Sequence, residues 1–207
     1  MAVAERELMT PSQGAEEEWT PQPYRWTREQ FNRIGDMGLF EGRRAILVDG
    51  EILAMPAMGD LHRNVLILAS DVLREIFGGG FFVSVQCPFD IGRATDPEPD
   101  IAIIHGSVRD YFGRGLTESA LIVEVSDTTL AYDRRGKASL YAMAGVADYW
   151  IINIDQEPVQ IEVHRQPALD EAQPCGFGYG EKTIHRSGEV IQPLTSFQPV
   201  PVAALLS

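Results

Sequence analysis

The stretch 120–126, Ala-Leu-Ile-Val-Glu-Val-Ser, constrains the fold most, because it is an apolar run of strand type interrupted by a single carboxylate. Such a run predicts a strand that is buried on both of its faces. An ionised Glu124 inside that strand needs a compensating charge, since burying an unpaired carboxylate costs a large free energy. A metal ion or a nearby basic side chain would supply that charge.

A second apolar strand with an acid at its end lies upstream. Asp100 follows Pro99 and precedes the apolar run 101–104. Downstream, Lys137 lies in a predicted helix over about 131–144, which returns the chain toward the same sheet. Two acids at neighbouring strand ends and one amine are the components of a metal-dependent hydrolytic centre.

The chemistry of that centre predicts its cofactor. Mg²⁺ takes oxygen ligands and keeps several of its waters, so two carboxylates and one main-chain carbonyl are enough to hold it. Asp100, Glu124 and the carbonyl of Val125 meet this requirement. We therefore predict a Mg²⁺ or Mn²⁺ site at these residues, with Lys137 as the cation that orients the nucleophile.

Signals for helix starts, turns and strands flank this region. Thr27 and Gln30 have the spacing of a capping box, and Asp49-Gly50 is the dipeptide that type I′ hairpin turns prefer. The patterns predict a hairpin of strands 45–48 and 51–55, a helix over 61–77 capped by Asp60, strands at 81–87 and 148–154, antiparallel strands from 159 onward, and a Gly- and Pro-rich excursion near 167–180. This order predicts an α/β domain with a mixed central β-sheet flanked by helices.

Length and composition set the outer limits. The chain has 207 residues, enough for one well-buried domain, and we predict a disordered or loosely attached tail at 1–22 before a single domain at 23–207. Its net charge of −13 argues against a general nucleic-acid binder, which needs a basic surface. Cys87 and Cys175 form no disulfide or metal motif, and there is no signal peptide or membrane-length apolar run. These features favour a cytoplasmic protein without a membrane partner.

The order of these motifs carries a resemblance to a known family. Pro99-Asp100, Glu124-Val125-Ser126, Lys137, Tyr141, Gly145-Val146 and the run 149–152 are arranged as in the Uma two family of restriction endonucleases, which belongs to the PD-(D/E)XK nuclease superfamily. The likeness extends from about residue 24 to about residue 163. It implies a restriction-endonuclease-like core with a central sheet of about four strands, a DNA substrate and, by analogy, a homodimer.

The resemblance also implies roles for individual residues. Asp100 and Glu124 match the two metal-binding acids, and Glu51 matches an acid that the family carries in its N-terminal hairpin. The superfamily lysine stands two residues after the glutamate, a position that Ser126 fills here, and Lys137 is thought to substitute for it. His62, at the start of the second helix, is a candidate contact for the substrate phosphate.

Each of these residues also has a structural interpretation. Glu124 could form a buried ion pair with Lys137 or Arg135, and Asp133 with Lys137 could be an ordinary helical pair. Asp100 could be a strand-entry residue, and Glu51 could be an exposed turn residue. His62 could be a helix residue that faces solvent. At the level of function, the alternatives are a metal-dependent endonuclease, a catalytically weak or inactive nuclease-fold module that binds or regulates, and a hydrolase for smaller phosphate esters.

Overall fold

A computed structural model describes residues 20–92, 94–196 and 198–206 of the chain. The tail predicted at 1–22 falls almost entirely outside the described residues. Among the described residues, no helix is both long and apolar enough to cross a bilayer.

The centre of the fold is a six-stranded mixed sheet with the strand order β3-β4-β5-β6-β7-β8. Its strands are β3 (Phe81–Val85), β4 (Ile101–His105), β5 (Leu121–Ser126), β6 (Asp148–Asn153), β7 (Gln160–Leu169) and β8 (Phe177–Arg186). Only the pair β5–β6 is parallel, and the other neighbours are antiparallel. The mixed central sheet is as predicted, but it has six strands where the resemblance implies about four.

The two central strands are buried along their whole length. Every residue of β5 and of β6 is buried, which confirms the interpretation of 120–126 as a strand covered on both faces. One face packs against an apolar cluster that includes Leu73 of the second helix, and the other packs against a cluster that includes Tyr141. The acid at position 124 therefore lies in the interior of the domain.

A short helix and a hairpin open the described part of the chain. Helix α1 (Arg28–Asp36) begins at Thr27, whose side chain forms the predicted capping box with Gln30. Strands β1 (Arg44–Val48) and β2 (Glu51–Met55) form a separate two-stranded hairpin. The φ angles of 46° at Asp49 and 73° at Gly50 fit the type I′ turn that the sequence predicts.

Three local predictions are wrong at their boundaries. Helix α2 (Asp60–Phe77) has Gly59 as its N-cap, because the chain stays extended through that residue, so Asp60 is the first helical residue and not the cap. Strand β3 ends at Val85 and not at 87, because Gln86 has a φ of 48°, which takes the chain out of the extended conformation. The excursion predicted at 167–180 is limited to residues 170–176, because β7 and β8 pair as far as Leu169 and Phe177.

The helical segment 130–143, which we call α3, is less regular than predicted. It consists of an α-helical turn (Leu130–Tyr132), a π-helical turn (Asp133–Lys137) and a second α-helical stretch (Ala138–Met143). Hydrophobic spacing does not distinguish a π turn from an α turn over so few residues. The chain ends in β9 (Val190–Ile191), β10 (Val200–Pro201) and a 3₁₀ turn (Val202–Leu205), and another 3₁₀ turn spans Val108–Tyr111.

The hairpin turn gives a first testable prediction. At Gly50 an added Cβ would lie 2.9 Å from the Cβ of Arg25, and the φ of 73° is unfavourable for other residues. Gly50→Ala should therefore lower the free energy of unfolding by about 1–3 kcal/mol. Gly79→Ala is the matched control, because its Cβ would meet nothing within 4 Å. Urea unfolding of both variants checks the prediction, and equal midpoints would contradict it.

Candidate active site

Asp100 and Glu124 meet where β4 begins and β5 ends. Ile101 of β4 pairs with Val123 of β5 in an antiparallel register, so the residue before β4 lies beside the last residues of β5. The Oδ2 atom of Asp100 accepts a hydrogen bond of 2.9 Å from the main-chain N–H of Val125. The main-chain N–H of Asp100 donates in turn to the Oε2 atom of Glu124 at 3.3 Å. The two acids are thus held together by the backbones of both strands.

Lys137 joins the two acids from α3. Its Nζ atom lies 2.8 Å from Oε2 of Glu124, and both side chains are almost completely buried. The geometry decides between the two ion-pair partners that the sequence left open, because Arg135 is exposed and Lys137 is the residue that contacts Glu124. The structure therefore brings together all three residues of the predicted centre.

Several polar side chains that sequence reasoning did not assign surround these three residues. The hydroxyl of Tyr141 donates to Oε1 of Glu124 at 2.7 Å. Asp133 has its Oδ1 atom 3.3 Å from Nζ of Lys137 and is completely buried. The spacing of Asp133, Lys137 and Tyr141, four residues apart on one helical face, was the available signal, but it could not show that this face points toward Glu124.

Asp100 has two further partners. The Nε2 atom of His62 lies 3.3 Å from Oδ2 of Asp100, and only 14% of the histidine side chain is exposed. His62 therefore does not face solvent as an ordinary helix-start residue would. The side-chain amide of Gln86 donates to Oδ1 of Asp100 at 3.0 Å, a contact that no sequence signal indicated.

The surroundings shift the pKa values of the three central residues in different directions. Burial raises the pKa of Asp100, but its contacts with His62, Lys137 and Gln86 more than offset this and lower it well below the ordinary value. Burial raises the pKa of Glu124, and Lys137 only partly offsets that rise. Burial lowers the pKa of Lys137, but the attraction of the surrounding acids raises it above its usual value. These shifts favour the anionic form of Asp100 and the cationic form of Lys137.

A cleft gives access to this centre from one side. It opens between the β1–β2 hairpin, the first turn of α2 and the loop after β5, and Asp100, Val125 and Lys137 lie on its wall. Glu124 lies behind these residues and is completely buried. The remaining polar side chains of the wall include both signs of charge: Arg44, His62, Glu98 and Asp127. A polar ligand in the cleft can therefore reach the charged centre.

Glu51 lies apart from this cleft. Its carboxylate pairs with Arg25 at 2.6 Å, and the two side chains are about half exposed, at 55% and 50%. Glu51 lines a different depression of the surface, together with Arg25 and Cys175. Its role in the metal site stays a prediction, which this placement does not support.

The donor set fits a hard divalent cation in its chemistry. Carboxylate and carbonyl oxygens are the ligands that Mg²⁺ takes, usually one or two carboxylates with waters and substrate phosphate oxygens completing the shell. Among the described residues, no three or more His, Cys, Asp or Glu side chains are grouped so that they could hold a metal. Asp100, Glu124 and the carbonyl of Val125 therefore stay the predicted ligands of such an ion. Lys137 contacts Oε2 of Glu124, one of the carboxylate oxygens in this donor set.

Comparisons with known proteins agree with this fold. The model of the Uma two family, written Uma2 and described as "Putative restriction endonuclease", matches residues 28–200. A crystal structure described as "a putative nuclease belonging to DUF820" from Anabaena variabilis superposes with a TM-score of 0.63 at 12% sequence identity, over 87% of this chain and 97% of that chain. No curated protein matches the sequence. The predicted restriction-endonuclease-like fold is confirmed by this likeness.

The buried ion pair gives a prediction about pH. Lys137→Met leaves Glu124 buried without its cation, and removing one partner of a buried pair costs about 3–5 kcal/mol. The pKa of Glu124 in the folded variant then rises further above its unfolded value, so the folded state holds a proton that the unfolded state releases. Stability falls with rising pH wherever the folded state binds more protons. Because the pKa of Glu124 in the wild type is already raised to about 8, the loss relative to wild type should be nearly constant from about pH 5 to about pH 7 and should grow above about pH 8.

Lys182→Met is the matched control for this experiment. Lys182 also contacts a completely buried glutamate, Glu162, at 2.6 Å. Glu162 keeps a second cation, because Nε of Arg134 donates to it at 2.9 Å. The control should therefore lose less stability, with little dependence on pH between 5 and 9. Urea unfolding across that pH range measures both variants, and a loss at Lys137→Met that did not vary with pH would contradict the prediction.

Proposed function

Because the chain belongs to the Uma two family, whose restriction-endonuclease-like fold it shares, we propose that it is a Mg²⁺- or Mn²⁺-dependent endonuclease that hydrolyses DNA phosphodiester bonds. The observation that carries this proposal is the joint burial of Asp100, Glu124 and Lys137 beside a cleft. Buried charged groups are costly to maintain, and their concentration in a cleft is typical of functional sites.

The proposed roles follow from the positions of the side chains. Asp100, Glu124 and the carbonyl of Val125 would hold the metal, which when bound supplies Lewis-acid activation of the phosphate and of water. Lys137 orients the attacking water and stabilises the charge that develops on the phosphate, because its ammonium group lies on the wall of the cleft. Tyr141 fixes the second carboxylate oxygen of Glu124 by its hydrogen bond of 2.7 Å.

His62 is proposed as a contact for the substrate phosphate. Its imidazole lines the cleft and lies against Asp100, so its position is fixed by the same acid that would hold the metal. Arg44, in the hairpin, also lines the cleft, and its guanidinium is 3.4 Å from Glu98. These two side chains are among the cationic or donor groups that a phosphodiester would meet beside Lys137.

A net charge of −13 repels DNA, so the proposed function requires a local surface that attracts the phosphate backbone. A homodimer that joins two clefts would supply it, and we keep this as a proposal. Among the described residues, strand β8 is at one edge of the central sheet, and edge strands are where a second chain could pair. A cytoplasmic location likewise stays a prediction.

Metal binding is testable without any substrate. A cation present at about a hundred times its dissociation constant stabilises the folded state by about 2.7 kcal/mol. Millimolar Mn²⁺ or Mg²⁺ should therefore raise the thermal midpoint of the wild type, and Asp100→Ala and Glu124→Gln should lose that rise. Asp71→Ala is the control, because Asp71 is an exposed acid that pairs with Arg74 on the surface of α2. A rise that persisted in both site variants would contradict the proposed ligands.

Cleavage is tested on supercoiled and linear DNA with the same metals. The wild type should cleave both, and Lys137→Met should lower kcat by about 10²-fold or more, as expected when a group that stabilises transition-state charge is removed. Lys182→Met, which changes a lysine outside the cleft, should cleave as the wild type does. Cleavage by Lys137→Met at the wild-type rate would contradict the role of Lys137.

A nuclease-fold binding module is the second candidate, and one observation favours it. Lys137 already lies 2.8 Å from Glu124, so this buried carboxylate has a cationic partner without a metal. Such a module would bind DNA without cleaving it, and binding would be unaffected by Lys137→Met. Cleavage of mononucleotide esters but not of long DNA would instead indicate a hydrolase for smaller phosphate esters.

A further inference from the structure

Asp133 is the buried acid of this region to which the proposed mechanism gives no role. Its Oδ2 atom accepts hydrogen bonds from the hydroxyls of Ser126, at 2.8 Å, and of Thr129, at 2.6 Å. Its Oδ1 atom has no hydrogen-bond partner among the described residues except the ammonium group of Lys137, 3.3 Å away. The two hydroxyls saturate one oxygen and leave the other directed at the lysine.

Both oxygens of Glu124 have partners. Oε1 accepts from Tyr141, and Oε2 is shared between the ammonium group of Lys137 and the N–H of Asp100. A cation that bound Oε2 would compete with Lys137 for that oxygen. Asp133 is then the one remaining carboxylate in contact with the lysine among the described residues.

Main-chain contacts hold Asp133 in place in addition to its side-chain contacts. Asp133 and Lys137 are the first and last residues of the π turn, and both are buried. The hydroxyl of Tyr149, on β6, donates to the main-chain oxygen of Asp133 at 3.1 Å. Gly136 allows the ring of Tyr132 to pack against the turn, because a Cβ there would lie 2.4 Å from the ring. π turns inside α-helices are frequent at functional sites.

We propose that Asp133 is a positioning residue, which holds the ammonium group of Lys137 at the cleft when Glu124 binds another cation, and which is itself held by Ser126 and Thr129. This inference rests on the proposed function for its catalytic consequence. The proposed role differs from that of an ordinary helical ion pair in one respect. Asp133 must set the position of the Lys137 ammonium group, and not only stabilise the fold. Ser126, at the position after Glu124 and Val125, then contributes through Asp133 instead of contacting the substrate.

The first test does not depend on activity. A double-mutant cycle combines Asp133→Asn with Lys137→Met and compares urea midpoints. Because each variant removes the same contact, the midpoint loss of the double variant should be clearly smaller than the sum of the two single losses. The control cycle is Asp71→Asn with Arg74→Met, an exposed pair 2.6 Å apart on α2, whose losses should add. Additive losses at Asp133 and Lys137 would overturn the proposal.

The second test separates positioning from binding. Asp133→Asn should lower kcat by about tenfold or more while KM for DNA and the rise in thermal midpoint with Mn²⁺ stay within about twofold of wild type. Thr129→Val, which removes one hydroxyl donor and keeps the side-chain shape, should lower kcat by a smaller factor and serves if Asp133→Asn folds poorly. Wild-type kcat in both variants would overturn the proposal.

The two proposals fail in different ways. If the wild type cleaves no DNA with either metal, the proposed nuclease function fails, and the stability cycle alone decides whether Asp133 holds Lys137. If the wild type cleaves and the variants of Asp133 and Thr129 cleave equally well, the nuclease function stands and the positioning role is wrong. A lower kcat together with a lost Mn²⁺ response in Asp133→Asn would also overturn it, since the defect would then lie in the metal site.

Discussion

The structure depends on one unfavourable placement, a glutamate in the middle of a strand that is buried on both faces. Glu124 has no exposed surface, so its carboxylate must be compensated from within the protein. Lys137, Tyr141 and the main-chain N–H of Asp100 supply that compensation. Such a pair is seldom worth its desolvation cost as a source of stability, and its presence beside a cleft supports the proposed site.

A second completely buried glutamate lies two strands away, and the pair explains the orientation of α3. Glu124 of β5, Ile151 of β6 and Glu162 of β7 stand in register across the sheet, and both glutamates are completely buried. Helix α3 compensates both, with Lys137 over the first and Arg134 over the second. Two ion pairs thus fix this helix across three strands. The position of Lys137 therefore depends on how the whole of α3 packs on the sheet and not on one side chain.

The acidic composition and the proposed substrate are compatible because charge is distributed locally. The centre itself holds Asp100 as a stable anion and Lys137 as a stable cation, since the pKa of the first is lowered and that of the second is raised by their mutual surroundings. The cleft above them carries Arg44 and His62 as well as acids. A phosphate that enters it meets donors near the reacting centre even though the chain as a whole repels it.

The sequence by itself determined the buried strand at 120–126, the type I′ hairpin and the capping box at Thr27, because each depends on local pattern. Residue chemistry also singled out Asp100, Glu124 and Lys137, which the structure brings together. The sequence also carried the family resemblance. Only the tertiary structure decided that Asp133 points at Lys137, that Gln86 and His62 contact Asp100 and that Glu51 lies elsewhere. The π turn and the number of strands in the central sheet, six, were also decided only by the tertiary structure. These features depend on strand order and helix register, which bring residues together across long separations that no local pattern encodes.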